Sequence, residues 1–202
     1  MVKRSEINHI EDLIQWLNRF NISQLNWGLN QTKTVNNLFD EIQKGECWLV
    51  ENIPVRVVSV VQLLIYQNGF LLIEKEQLLC DDRIRIRLIP PSEKMKENED
   101  WKSAAYRCLE EELQISADKA TILPLDVKAK IRNKISFSYP GLRSKYYLYQ
   151  VQALVQSLPT DEFWTTEKTE IGITKVINKH KWGWVKPESI HLNSGRSLRE
   201  SD

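Results

Sequence analysis

Three features of the sequence predict an α/β protein in which helices sandwich a mixed β-sheet, an α/β/α arrangement. The stretch from Glu99 to Ile115 carries Trp101, Ala104, Ala105, Cys108, Leu109 and Ile115 at helical spacing. Segments of strand character lie on both sides of it in the chain, which places one helix between the strands of one sheet. Two further amphipathic stretches precede the first strand and predict an N-terminal extension of two helices.

The 202 residues, 42% of them hydrophobic, suffice for one well-buried domain with an appendage. A formal net charge of +1 excludes a general affinity for polyanions, so any such role must come from local patches. Cys47, Cys80 and Cys108 form no C-x-x-C pair and predict a reducing compartment, the cytoplasm. His9, His180 and His191 are scattered without the spacing of zinc ligands. No apolar run approaches the ~20 residues of a membrane span, and no signal peptide is indicated, so no membrane partner is expected.

In order, Ser5 to Phe20 reads as a helix with Ser5 as its N-cap and Ile7, Ile10, Leu13, Ile14 and Leu17 on one face. Thr34 caps a second helix carrying Val35, Leu38, Phe39 and Ile42, stopped by Gly45. Val55 to Tyr66 is rich in β-branched residues, Gln67-Asn68-Gly69 is a hairpin turn, and Phe70 to Glu74 returns. Arg83 to Leu88 alternates strictly, which predicts Ile84, Ile86 and Leu88 toward the core and Arg83, Arg85 and Arg87 on the other face. Pro90-Pro91 ends that strand. After the central helix, Leu125 to Phe137 reads as a strand with Lys128, Lys130, Arg132 and Lys134 on alternate positions, and Tyr146 to Val155 as another. Phe163 to Val176 is less regular, and Trp182-Gly183-Trp184-Val185 reads as a last strand or an aromatic plug. These boundaries divide the chain into helices at 1–46, a main domain at 47–192 and a polar tail at 193–202.

The central helix carries the chemistry. At about 100° per residue, Cys108, Glu111, Glu112 and Ile115 share one side of it, and Glu112 falls inside the core-facing stripe. A carboxylate there requires a cation, a donor or a metal. With Arg107 beside this face and Glu99 on the incoming loop, the set suits a divalent cation and phosphate. It resembles the Nudix box, G-x5-E-x7-R-E-U-x-E-E-x-G-U with U aliphatic. Glu99 falls on the first glutamate, Arg107 on the arginine, Leu109 and Ile115 on aliphatic positions, and Glu111 and Glu112 on the paired glutamates. Glu93 and Gln114 stand at the two glycines, and Cys108 replaces the glutamate after the arginine, one of three principal carboxylates. Glu110 points about 160° from Cys108 and cannot replace it. The box is degenerate.

By that resemblance the fold is Nudix-like, and Glu99 and Arg107 bind one another and hold the loop against the helix. Glu111 and Glu112 are the candidate catalytic and metal residues, holding Mg²⁺ or Mn²⁺ against a substrate pyrophosphate. The alternative reading makes them remnants neutralised by a basic side chain. Cys108 is expected to be a buried thiol with a raised pKa. Arg83, Arg85 and Arg87 are candidate ligands for phosphates, or a solvated face paired with acids. Trp182 and Trp184 are candidates to stack a base, or core residues. No aromatic-glycine signature interleaves the basic strands, so no specific nucleic-acid partner is indicated. Three functions remain: a weak or inactive Nudix-like protein that binds a nucleotide-like or phosphorylated ligand or regulates a partner; a Mg²⁺- or Mn²⁺-dependent pyrophosphohydrolase of a nucleoside diphosphate linked to another group; and a protein-docking module, in which the N-terminal helices contact a partner or a second copy.

Overall fold

The computed structural model describes residues 3–123, 127–168 and 176–189. The helices are α1 (Ile10–Arg19), α2 (Val35–Gln43) and α3 (Trp101–Glu111). The strands are β1 (Trp48–Leu49), β2 (Val55–Gln67), β3 (Phe70–Leu79), β4 (Ile84–Ile89), β5 (Ser92–Lys94), β6 (Ala120–Ile122), β7 (Lys130–Ile135), β8 (Arg143–Val155), β9 (Phe163–Thr166) and β10 (Ile177–Val185).

β2 is the spine of the sheet. Its β-branched run suits a strand buried on both faces, and along one edge it runs parallel to β8, from Val55 opposite Arg143 to Ile65 opposite Ala153. Its other edge meets β1, then β5, then the start of β3. β3 then carries β4 on one side and β10 on the other, and β9 pairs with β10. The result is a mixed sheet with the path β6-β8-β2-β3-β10-β9.

Alternation along β2 assigns each face its helices. Val61, Leu63 and Ile65, with Val151 and Ala153 of β8, pack on Ala104, Ala105, Cys108 and Leu109 of α3. Val58 and Val60, with Tyr139 and Leu142, pack on Leu13 and Leu17 of α1 and Leu38 of α2. The sheet is therefore sandwiched, and each fully buried leucine in these layers contributes about 2 kcal/mol of transfer free energy. No helix among the described residues is long and apolar enough to cross a membrane.

Several expected boundaries move. The first helix begins at Ile10, not after Ser5, because the Asp12 carboxylate accepts from the Asn8 and His9 amides at 3.0 and 2.8 Å and fixes the first turn. The residues before it are extended: Arg4 bridges Val50, and the Ser5 amide donates to the Leu49 carbonyl. The strand expected from Leu125 starts only at Lys130; 124–126 lie outside the described residues, as do much of 163–176 and the whole of the polar tail.

β4 reverses the expected faces. Ile84, Ile86 and Leu88 are 53%, 50% and 55% exposed, whereas Arg85 is 5% exposed and Arg87 half-buried. Alternation puts the arginines together but does not choose their side. The choice falls to partners on the inner side, where the Glu74 carboxylate takes Arg87 Nε at 3.0 Å and the Gln77 side chain takes Arg85 Nη1 at 3.4 Å. Arg83 is exposed beside Asp81 and donates to the Asn30 carbonyl.

Candidate functional site: the charged face of α3

Local chemistry fixes both ends of α3. At its start the Asp100 carboxylate accepts from the Lys102 and Ser103 amides at 2.8 and 3.0 Å, satisfying donors that have no partner within the helix. At its end Gln114 adopts a left-handed φ of +59°, and the Ile115 amide closes on the Leu109 carbonyl at 2.9 Å. That is the turn in which glycine is favoured. Gln114 stands where the box has its second glycine, and its side-chain amide donates to the Thr166 carbonyl at 2.9 Å.

Arg107 gathers the loop and the helix. Its Nε and Nη2 donate to the two oxygens of Glu99 at 3.0 and 2.9 Å, and Nη2 also donates to the Lys94 carbonyl at 2.7 Å. Nη1 lies 3.1 Å from Glu93 and 3.3 Å from Glu111. One guanidinium thus faces three carboxylates. Burial acts against ionised Glu99, but the Arg107 bonds and the Lys96 amide outweigh it and hold that carboxyl below its ordinary range. For Glu93, burial wins over Arg107 and lifts the carboxyl to about 7. Glu93 occupies the first glycine position of the box and so adds a side chain to the guanidinium's shell.

Glu112 and Cys108 face the core instead. Cys108 is fully buried, and burial with the Glu112 charge pushes its thiol well above the ordinary value. Glu112 is 7% exposed, and its Oε2 has no hydrogen-bond partner among the described residues. Burial pushes its carboxyl well up; the nearby His180 charge opposes that, while Glu74, Glu93 and Glu167 add to it.

The group that closes this face is His180, a fully buried residue of β10. Its Nδ1 lies 2.5 Å from Glu74 of β3, and its Nε2 hydrogen-bonds Glu167. With a carboxylate at each nitrogen, both nitrogens donate and the ring is an imidazolium. Burial alone lowers its pKa, but the bonds to Glu167 and Glu74 raise it to about 10. The chain of contacts runs Arg87–Glu74–His180–Glu167. Trp182 stacks on the imidazole with centroids 5.6 Å apart and donates to Thr165 at 2.7 Å, while the Thr165 hydroxyl donates to the Glu112 carbonyl.

This donor set does not fit a divalent cation. Glu111 is drawn to Arg107, Glu112 favours its neutral acid, Cys108 is a neutral thiol, and Glu74 and Glu167 are held by an imidazolium. Hard cations need several ionised oxygens converging on one point. Among the described residues, no group of three or more His, Cys, Asp or Glu side chains is placed to hold a metal ion.

The other candidates lie apart from this face or inside the core. Trp182 is fully buried, and Trp184 donates to the Pro159 carbonyl at 2.8 Å. Arg85 points into the layer beneath β4. Lys130 donates to Gln150 at 2.7 Å, and Lys134 lies over the Tyr146 ring at 5.0 Å. On the other side of the loop that leads into α3 opens a groove of about 660 Å³, lined among others by Arg4, Trp48, Ser59, Lys96, Glu99 and Tyr149. Sequence spacing does not group Glu74 and Glu167 with His180, because strand pairing brings them together. Their one trace is His180 standing two positions before Trp182 on a strand that enters the core.

No family model matches the chain, and no curated protein sequence matches it. Solved structures similar to it include a NUDIX hydrolase from Nitrosomonas europaea, 20% identical, with 65% of this chain and 74% of that one covered at a TM-score of 0.38. A C. elegans Ap4A hydrolase is 17% identical over 65% of this chain and 82% of its own, at 0.38. An E. coli dihydroneopterin triphosphate pyrophosphohydrolase is 18% identical over 68% and 83%, at 0.35. Likenesses of that size leave the reading of this chain to its own residues.

Proposed function

We propose that the chain is a Nudix-like protein that hydrolyses pyrophosphate bonds weakly or not at all, and that serves by binding a phosphorylated or nucleotide-like ligand. The observation that carries this is His180, an imidazolium buried against the paired-glutamate face of α3 with Glu74 and Glu167 on its two nitrogens. A cation supplied by the chain occupies the electrostatic niche that metal-assisted hydrolysis needs for its own ion. The place for the ligand is the groove beside the loop into α3, where Trp48 and Tyr149 supply aromatic rings and Arg4, which lies over Trp48 and pairs with Glu97, supplies a guanidinium.

A panel of nucleoside diphosphate derivatives incubated with Mg²⁺ or Mn²⁺ tests the first half. Phosphate release is expected to stay at the protein-free background. Brisk turnover abolished by Glu112→Gln would overturn the reading. Quenching of Trp fluorescence by nucleotide, lost in Trp48→Phe, tests the second half. A second reading, a Mg²⁺- or Mn²⁺-dependent pyrophosphohydrolase, draws its support from the crowding of Glu74, Glu93, Glu111, Glu112 and Glu167 about one helix face. The same panel separates the two.

A further inference from the structure

A second charged layer lies on the opposite face of the sheet, between β4 and the N-terminal helices, and its charges do not balance. Glu41 of α2, 5% exposed, accepts from Lys33 at 2.7 Å and Arg56 at 2.5 Å, and pairs with Lys94 at 2.7 Å. Glu46 shares Lys94 at 2.7 Å. Two carboxylates therefore answer three cations before Arg85 is counted.

Arg85 is the fourth. It is 5% exposed, and among the described residues no carboxylate lies within ion-pair distance of it. Among the described residues its hydrogen bond is the long one to Gln77, and its Nε has no partner. Its charge is felt at Lys33, and it lies in turn within reach of Tyr139 and of Glu74, a carboxylate already bonded to Arg87 and His180. Tyr139 is fully buried beneath the Arg56 guanidinium, 5.1 Å from its ring, and its hydroxyl lies near Glu41. Among the described residues two buried guanidinium donors, Arg85 Nε and Arg56 Nε, thus lack acceptors in a layer with two excess positive charges. Each uncompensated donor is costly, and a buried guanidinium with no carboxylate in contact more so. Arg87 and Arg83, the neighbours of Arg85 on β4, are committed to Glu74 and to Asp81 and do not relieve it.

We propose that this layer holds a small inorganic anion of about the size of chloride, bound at Arg85 Nε. An anion there supplies the missing acceptor and offsets the excess charge, and its removal from water is repaid by charged donors that already lack partners. Burial of Arg85 excludes a nucleotide or any bulky phosphate from the same position. The anion is a structural ion of the fold, and Arg85 is not among the residues that line the groove.

The test is melting of the purified full chain in sodium gluconate, with chloride or bromide substituted at constant ionic strength. The melting temperature is expected to rise by about 4 °C for each tenfold increase in halide beyond its dissociation constant. Arg83→Gln, at an exposed arginine paired with Asp81, is expected to keep that response. Arg85→Met is expected to lose it and to melt no lower than the parent in gluconate, since it removes the uncompensated cation. A crystal grown in sodium bromide gives a direct reading, an anomalous peak within hydrogen-bond reach of Arg85 Nε. A response to halide that persists in Arg85→Met, or a crystal with no bromide beside Arg85, would overturn the proposal. The bromide crystal uses the parent chain, so the result stands even where Arg85→Met fails to fold.

Discussion

Single side chains decide what the α3 face does. Arg107 answers three carboxylates, yet the paired glutamates split: Glu111 turns to Arg107, and Glu112 turns inward to the core and His180. His180 makes that inward face pH-dependent in a stated direction. Its folded pKa of about 10 lies above the ordinary 6.5. The protonated ring therefore stabilises the fold fully below pH 6.5, and that contribution is lost as pH rises toward 10. Glu112, a carboxyl with a raised pKa, changes stability in the same sense: the fold weakens as pH rises and the buried acid is forced to ionise. Urea unfolding from pH 6 to 10 is expected to show the parent losing stability relative to His180→Gln across that window. Parallel curves for the two chains would mean that the imidazole is neutral in the fold.

Elements record where a sequence can be read and where it cannot. The box that α3 resembles has a glycine at its end, and in this chain the turn that favours it holds Gln114 at φ +59°. Gln114→Gly is expected to stabilise the chain by about 1 kcal/mol, because only glycine enters the left-handed region without steric cost. The exposed bond to Thr166 that it forfeits offsets a few tenths of that. A denaturant midpoint that falls instead would show that the Thr166 contact outweighs the strain. α2, with its Thr34 cap and Asn37, and the β2–β3 hairpin at Asn68-Gly69 were legible, since their signals lie within four residues. The orientation of β4 was not. Alternation is a phase without a sign, and the sign was set by Glu74 and Gln77 on the next strand. The His180 cluster was hidden for the same reason: Glu74 and His180 lie 106 residues apart and meet only through the β3–β10 pairing.

At the scale of the whole molecule, the N-terminal helices and the sheet share one core and one set of buried charges. Leu13, Leu17 and Leu38 pack with Leu49, Val58, Tyr139 and Leu142, and Glu41 of α2 is the counter-charge for Arg56 of β2. Burial works against an ionised Glu41, yet Lys33, Lys94 and Arg56 together hold its carboxyl well below the ordinary range. Removing that charge leaves the buried Arg56 and the half-buried Lys33 and Lys94 with one remaining acid partner among the described residues, Glu46, which pairs with Lys94. Glu41→Gln is therefore expected to cost about 3–5 kcal/mol, the range for breaking one side of a buried ion pair. A sharper version removes residues 1–46 altogether. The remaining chain would expose the apolar face of Val58 and Leu142 and leave Arg56 buried without a partner, so it is expected to show no cooperative thermal transition. Circular dichroism and calorimetry on the chain from residue 47 decide the point. A sharp transition there, with heat absorption in proportion to length, would make the N-terminal helices an appendage rather than a layer of the fold, and would place the boundary of an independent domain at residue 47.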